Sequence, residues 1–329
     1  MIRIGMIGNG NISNQHKKAI AQIISEGGQV SLDVYCDANP ATLEGLPGRT
    51  YTDIDTMLAA EQGKLDMVDI CLPTFLHADV VVKALEHGMH VLCEKPMALN
   101  PEECDRMLEA SQRTGKKLMI AHCNRFMSSV EIIRKTVESN ELGKVRSAEF
   151  RRDSGMANTD SWFANGKISG GVAVDTHVHD TDLIRGIFGM PKAVSAVGHS
   201  AFVRDGYDAM SVNYMYDDGM FIHATANWTL KNNKFNSRTI RVNFEKGYLF
   251  CDRTPGRTAF VKVTEDGTVT DLSAFLDSPF YYNEITYFID CIVNNKPVSK
   301  CPPHEAADAI RLVMAEIESA DRDGIRITI

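Results

Sequence analysis

Four stretches of this 329-residue chain carry side chains whose types and spacing could do chemistry. The first is Gly8-Asn-Gly10-Asn11-Ile12-Ser13, between an apolar run and a helical pattern. Its first glycine permits a tight turn and its second lets backbone approach a pyrophosphate. The N-terminus of the next helix then offers free N–H groups and a favourable dipole. Ser13 stands where a third glycine or alanine is usual, a mild departure because serine is small. The second is Asp37, closing the next apolar run, where a carboxylate can accept hydrogen bonds from an adenosine ribose and would repel a 2'-phosphate. It comes somewhat later than the usual separation of about 20 residues, a delay a long helix and Glu26-Gly27-Gly28 would cover. The bland alternative for Asp37 is an acid that solvates a loop. The third is Glu94-Lys95-Pro96 after the apolar Val91-Leu-Cys93. A lysine at a strand end could stabilise charge developing on a reacting oxygen, or could simply pair with its neighbour at the surface. The fourth is Gly170 to Asp182. At about 100° per residue, Asp175, His179 and Asp182 fall within roughly 60° of arc on a helix, with His177 about 200° from Asp175. His179 suits the acid/base role because imidazole titrates near neutrality and can take the proton of an alcohol. Asp175, one turn away, can orient a hydroxyl or tune the ring, and His177 is expected to pack. A stripe of carboxylates with histidine could also hold a metal. His177-Val-His179 has the His-x-His form of metal-dependent hydrolases, but those place it on an early barrel strand, and no metal is expected.

The elements around these residues change rhythm once. Up to about residue 122, apolar runs at 2–7, 30–36, 67–72, 90–93 and 118–121 alternate with helix-length segments at 12–25, 54–61, 75–87 and 101–114. Asn100 and Pro101 read as the cap and first residue of the last of these. Such alternation predicts a doubly wound parallel sheet. From Lys144 onward, runs at 145–151, 194–203, 209–216, 220–228, 237–244 and 248–251 are separated only by turns such as Asp217-Asp218-Gly219. That predicts a mainly antiparallel sheet, followed by two helices at 281–293 and 304–320. The expected organisation is α/β over 1–122 and α+β with a large open sheet over 123–329.

Composition narrows the partners. A net charge of -8 without a basic run argues against nucleic acid or an anionic membrane, and no apolar run approaches a membrane span. The N-terminus is too short and glycine-broken for a signal peptide and reads as a first strand. Eight cysteines without a Cys-x-x-Cys pair, several inside apolar runs, predict reduced, buried thiols and a cytoplasmic location.

Glu94-Lys95-Pro96 after an apolar strand, preceded by Pro73-Thr74-Phe-Leu-His77, resembles the Gfo/Idh/MocA oxidoreductase family over nearly the whole chain. The resemblance implies an NAD-binding Rossmann domain followed by a substrate and oligomerisation domain. It implies cofactor contacts at Gly8, Gly10, Asn11, Ile12, Asp37, Pro73, Thr74, His77, Glu94 and Lys95, with NAD expected over NADP. Lys95, Asp175 and His179 become the catalytic group, matching the family's lysine and Asp-x-x-x-His-x-x-Asp pattern. Asn124, Arg125 and Trp162 become substrate contacts, along with Asp175 and His179. For Arg125 a structural interdomain ion pair is the alternative, and for Trp162 core packing. The implied activity is hydride transfer between a sugar or cyclitol secondary alcohol and the nicotinamide, by a homodimer or homotetramer joined through the C-terminal sheet. An NAD-recycling glycosidase of the same fold and a non-catalytic nicotinamide-binding sensor are the alternatives.

Overall fold

The structure is a computed structural model that describes residues 1–156, 159–231 and 233–329. It divides into two units, Met1–Phe126 with Pro279–Ala307, and Met127–Ser278 with Asp308–Ile329.

In the first unit the strands β1 (Ile2–Ile7), β2 (Val30–Cys36), β3 (Arg49–Tyr51), β4 (Met67–Ile70), β5 (His90–Glu94) and β6 (Leu118–Ala121) alternate with helices. These helices are α1 (Ser13–Ser25), α2 (Ile54–Glu61), α3 (His77–Glu86) and α4 (Pro101–Thr114). All strand pairs are parallel, in the order β3-β2-β1-β4-β5-β6. Strands covered on both faces are apolar throughout, and β4, β6 and most of β1 are buried at every position. Helix α4 begins as its sequence predicts: Asn100 Oδ1 accepts the Glu103 N–H, Pro101 opens the first turn, and Gly115 closes the helix in the left-handed region.

In the second unit α5 (Ser128–Ser139) leads into β7 (Val145–Met156). The short α6 (Gly166–Ser169) precedes a π-turn at Ala173–His177, which runs into α7 (Val178–Phe188). The strands β8 (Ala193–His199), β9 (Ala209–Met215), β10 (Phe221–Lys231), β11 (Asn236–Phe244), β12 (Gly247–Asp252), β13 (Ala259–Thr264) and β14 (Val269–Asp271) follow. Helices α8 (Phe280–Val293) and α9 (Pro303–Asp321) and the strand β15 (Ile327–Thr328) close the chain. The nine-stranded sheet runs β14-β13-β12-β11-β7-β10-β9-β8-β15, and its only parallel pair among the described residues is β7 with β10. It is open, and β7 shows why. Ala148, Phe150 and Arg152 are buried, while Glu149 and Arg151 between them are exposed.

Both expected sheets are present. The division differs from the expected break at 122, because α8 returns to the first unit. Its Ile285 and Phe288 are fully buried in one cluster with Ile20 and Ile23 of α1. An amphipathic face seeks the nearest unfilled apolar surface wherever it lies in sequence, and here that surface belongs to the first unit.

Candidate active site

In the first unit the strand order reverses between β1 and β4, and ligands of such sheets bind at the carboxyl ends of strands beside that reversal. Gly8 makes the turn there with φ +92°, and a Cβ on it would stand 2.4 Å from the Cys71 carbonyl oxygen. Only glycine passes that close. Around Gly10 the corresponding space is empty to 4 Å. No side chain caps α1, whose N-cap position is Ile12, so its first amides face the glycine turn without a protein side chain on them. Ser13 is fully buried and donates its hydroxyl to the Gly10 carbonyl at 2.7 Å, so the unusual serine closes the turn. Asp37 is half-buried and aimed by main chain: its Oδ2 accepts the Asn9 N–H at 2.7 Å and its Oδ1 the Asn39 N–H at 2.8 Å. An open cradle, uncapped amides and an oriented carboxylate are what a dinucleotide requires.

Asn11 is exposed, and Ile12 and Pro73 are half-buried. Thr74 and His77 are buried, and both His77 ring nitrogens lie against carbonyls, Nδ1 at 2.8 Å from Pro96 and Nε2 at 2.9 Å from Leu72. Burial lowers the His77 pKa against the pull of those carbonyls. The ring thus ties the Pro73 loop to the Lys95-Pro96 segment, and its part in holding a cofactor is through the shape of that loop. Lys95 precedes Pro96 through a cis peptide bond. From Val91 to Ala98 every residue is buried except Lys95, which is half-buried.

Next to Lys95 in the chain, Glu94 joins a buried group whose other members, His16 and Asp69, the sequence did not single out. His16 of α1 has no exposed surface. Its Nδ1 faces Asp69 Oδ2 at 2.9 Å and its Nε2 faces Glu94 Oε1 at 3.0 Å. The second oxygen of Glu94 accepts the Lys95 N–H at 3.0 Å. Burial alone would lower the His16 pKa, but the charge on Asp69 and the neighbouring Cys71 hold it well above the ordinary value. Glu94 goes the other way: burial would raise it, and the His16 bond and charge bring it below the usual carboxylate range. His16, Asp69 and Cys71 are the one set among the described residues that could be matched to a metal by residue type and spacing. A ring with carboxylates at both nitrogens must donate from both, so an imidazolium already supplies the positive charge there.

Asn124 and Arg125 lie in a buried turn, Cys123–Phe126. Arg125 pairs with Glu305 and donates to the Lys300 carbonyl, an ion pair inside the first unit. The alternative raised for Arg125 is an interdomain ion pair, whereas this pair lies within one unit.

In the second unit the run after Gly171 is not one regular helix. The π-turn inserts an extra residue at Ala173–His177, so the 100° spacing fails across it. Of residues 172–184, only Asp175 and His179 are not buried. Asp182, expected on the same accessible stripe, is fully buried, which reduces the expected trio to a pair. His177 packs as expected: fully buried, with Nε2 at 3.1 Å from the Tyr214 hydroxyl and 3.3 Å from Glu316 Oε2. Burial would lower its pKa, but the Glu316 charge and bond raise it. Asp175 has a support absent from the sequence reading. The buried Trp228 donates its indole N–H to Thr176 Oγ1 at 2.8 Å, and the Thr176 hydroxyl donates to Asp175 Oδ2 at 3.1 Å. Trp162, half-buried, stacks on Phe163 at 4.0 Å between ring centroids, and Phe163 meets Trp228 edge-on. Trp162 thus belongs to the aromatic cluster that steadies Asp175.

All eight cysteines are free and buried, as expected. No helix among the described residues is long and apolar enough to cross a membrane.

Residues 2–122 match the model of an oxidoreductase family with an NAD-binding Rossmann fold, and residues 130–250 match that of the GFO/IDH/MocA C-terminal domain. The first unit is therefore an NAD-binding domain. Among curated relatives, inositol 2-dehydrogenase of Rhizobium meliloti is 30% identical over 219 residues, 64% of this chain and 64% of its own. The 2,7-anhydro-N-acetylneuraminate hydratase of Mediterraneibacter gnavus is 31% identical over 178 residues, 52% of this chain and 47% of its own. The chain thus spans about half to two thirds of these relatives' length. Among solved structures, a levoglucosan dehydrogenase in complex with NADH and levoglucosan shares the fold with a TM-score of 0.86 at 20% identity, over 100% of this chain and 99% of that one.

Proposed function

This chain belongs to the Gfo/Idh/MocA oxidoreductase family, and from that premise we propose that it is an NAD-dependent dehydrogenase acting on a secondary alcohol of a sugar or cyclitol. The observation that carries the reading is selective exposure. Lys95, Asp175 and His179 are the half-exposed polar residues of segments that are otherwise buried. Burial costs a polar side chain its hydration unless it is paired, and these three positions are where solvent, and hence a ligand, reaches the two segments.

In the proposed reaction His179 takes the hydroxyl proton, Lys95 stabilises the negative charge growing on that oxygen, and Asp175 fixes a neighbouring hydroxyl or the ring. Bound NAD supplies the acceptor for the hydride. Gly8, Gly10, Asn11 and Ile12 would bear on the pyrophosphate, and Asp37 on the adenosine ribose. Pro73, Thr74, His77 and Glu94 would shape the floor beneath the nicotinamide. Asn124, Arg125 and Trp162 support the substrate end. The open face of the large sheet, with Glu149, Arg151, His223, Thr225 and Arg241 around a concavity of about 660 Å³, suits a second copy of the chain. Light scattering after size exclusion should then give a dimer or tetramer. The deciding assay is NAD reduction, followed at 340 nm, across inositols, hexoses, amino sugars, uronates and nucleotide sugars. Failure with every polyol would overturn the reading.

One observation favours a second reading: a relative of comparable similarity is named a hydratase, and addition of water leaves no net oxidation. An enzyme that oxidises, eliminates or adds, and then reduces again would convert substrate without accumulating NADH. Product formation at constant absorbance would select that reading.

A further inference from the structure

His16 and Asp69 lie outside the residues that the family resemblance assigns, and their geometry ties them to Glu94, which it does assign. His16 belongs to α1, Asp69 to β4, and Glu94 ends β5, so one ring links the first helix to two adjacent strands, paired Asp69 with Leu92 and Ile70 with Cys93. Both imidazole nitrogens have a carboxylate oxygen within 3.1 Å. A neutral ring could donate to one and would present a lone pair to the other. Two buried carboxylates facing an uncharged ring would leave two negative charges uncompensated, which is strongly unfavourable, and an imidazolium offsets one of them. The remaining groups agree with a cation. Cys71 Sγ donates to Asp69 Oδ1 at 3.7 Å, and the Tyr281 ring of α8 lies 5.6 Å from the His16 ring between centroids. Lys95 is the next cation, reached through Glu94.

We propose that His16 is a positioning residue: a permanent imidazolium that locks the Glu94 carboxylate, whose other oxygen holds the Lys95 amide and so sets the direction in which the Lys95 side chain leaves the sheet. The catalytic significance of this lock rests on the reading of Lys95 given above, but the lock itself does not. Each half has its own measurement. The groups that face His16 from the packed elements are Asp69 of β4 and Cys71 just beyond it, Glu94 of β5, Cys123 of the turn after β6 and Tyr281 of α8. No other positive charge lies among them.

The test uses the full chain. Nitrogen-15 spectra of labelled histidine should show one ring with both nitrogens protonated and no titration from pH 6 to 9. In Glu94→Gln the same ring should begin to titrate within that range. In His16→Gln the Lys95 amide should exchange with deuterium at least about tenfold faster than in the parent, while the interior amides of β5 keep their protection. Turnover on whatever polyol the screen identifies should fall about tenfold or more, with the dissociation constant for NAD within about twofold. A His16 ring that titrates near an ordinary histidine value in the parent would overturn the proposal even if His16→Gln failed to fold. Equal losses of turnover and NAD binding with uniformly faster exchange would reduce His16 to a general packing role and also overturn it. If the parent oxidises no polyol, the reading of Lys95 fails alone, and the spectra and the exchange rates still decide whether the lock exists.

Discussion

Replacing Thr176 by valine is the sharpest probe of how Asp175 is held. The substitution keeps the shape of a side chain that is 8% exposed and removes one hydroxyl. Two bonds vanish, the 2.8 Å bond from the Trp228 indole and the 3.1 Å bond to Asp175 Oδ2. Trp228 is 4% exposed, so its N–H is left in a site that water barely reaches. An orphaned buried donor costs about 1–3 kcal/mol, and each kcal/mol lowers the melting temperature by about 2–4 °C in a unit of this size. Asp175 is half-exposed, so water can replace its lost donor and little stability is lost there. What changes is aim: a carboxylate that has lost this bond should lower kcat about tenfold, roughly 1.4 kcal/mol of transition-state stabilisation. Trp228→Phe separates the two effects, because it deletes the indole donor and leaves the Thr176 to Asp175 bond in place. We expect Trp228→Phe to keep kcat within about threefold, and the double variant to lose less stability than the two single losses combined, since no donor is then stranded. Calorimetry and steady-state kinetics on the three variants decide the matter. If Thr176→Val melts early but turns over normally, Asp175 is not aimed through Thr176 and the relay is only structural.

Lys95→Met and His179→Ala should each lower turnover by about 10²–10³-fold while NAD binding, followed by fluorescence quenching, stays within a few-fold; normal turnover in either removes that residue from the chemistry. Asp37→Asn removes the charge, keeps an acceptor for only one of the Asn9 and Asn39 amides, and should raise the ratio of NADP to NAD efficiency about tenfold. An unchanged ratio would mean that Asp37 serves only its loop. His177 has a pKa raised by Glu316 after burial is overcome, so its contribution to stability is complete below pH 6.5 and is lost as pH rises through its folded value. The gap in urea midpoint between the parent and His177→Gln should therefore be widest near pH 6 and close toward pH 9.

Legibility followed distance along the chain. The glycine turn, the Asn100-Pro101 start of α4 and the strands of the first sheet are written in neighbouring residues, and they stand where their patterns place them. The edge strand Arg49–Tyr51 escaped because three largely exposed residues carry no apolar pattern. Helix α5 and the outer strands β13 and β14 also went unpredicted. The return of α8 depends on a partner surface more than 250 residues away. Within the site, Lys95, Asp175 and His179 were legible as chemical types. Asp182 follows His179 by one turn of the regular α7 and is nevertheless fully buried, because spacing along a helix does not report what packs over it; the π-turn at Ala173–His177 shifts the phase of Asp175, and nothing in that composition announces it. His16 and Asp69 did leave a trace. His16 sits on the stripe of α1 that buries Ala19, Ile20 and Ile23, and Asp69 sits inside an apolar strand. A base and an acid at two positions patterned for apolar residues implied a buried pair.

The return of Pro279–Ala307 to the first unit has a consequence for the order of events at the ribosome. A nascent chain completed through Phe126 has every strand of the parallel sheet but lacks Ile285 and Phe288, which belong to the same apolar cluster as Ile20 and Ile23. At about 5–20 residues per second, the missing segment emerges roughly 10–40 s later. During that interval the nucleotide fold has an oily flank in water, while the intervening unit can already be collapsing. A shortened gene ending at residue 126 would make that condition permanent and yield a protein prone to clumping. A gene that splices 279–307 directly behind 126 would supply the flank its cover.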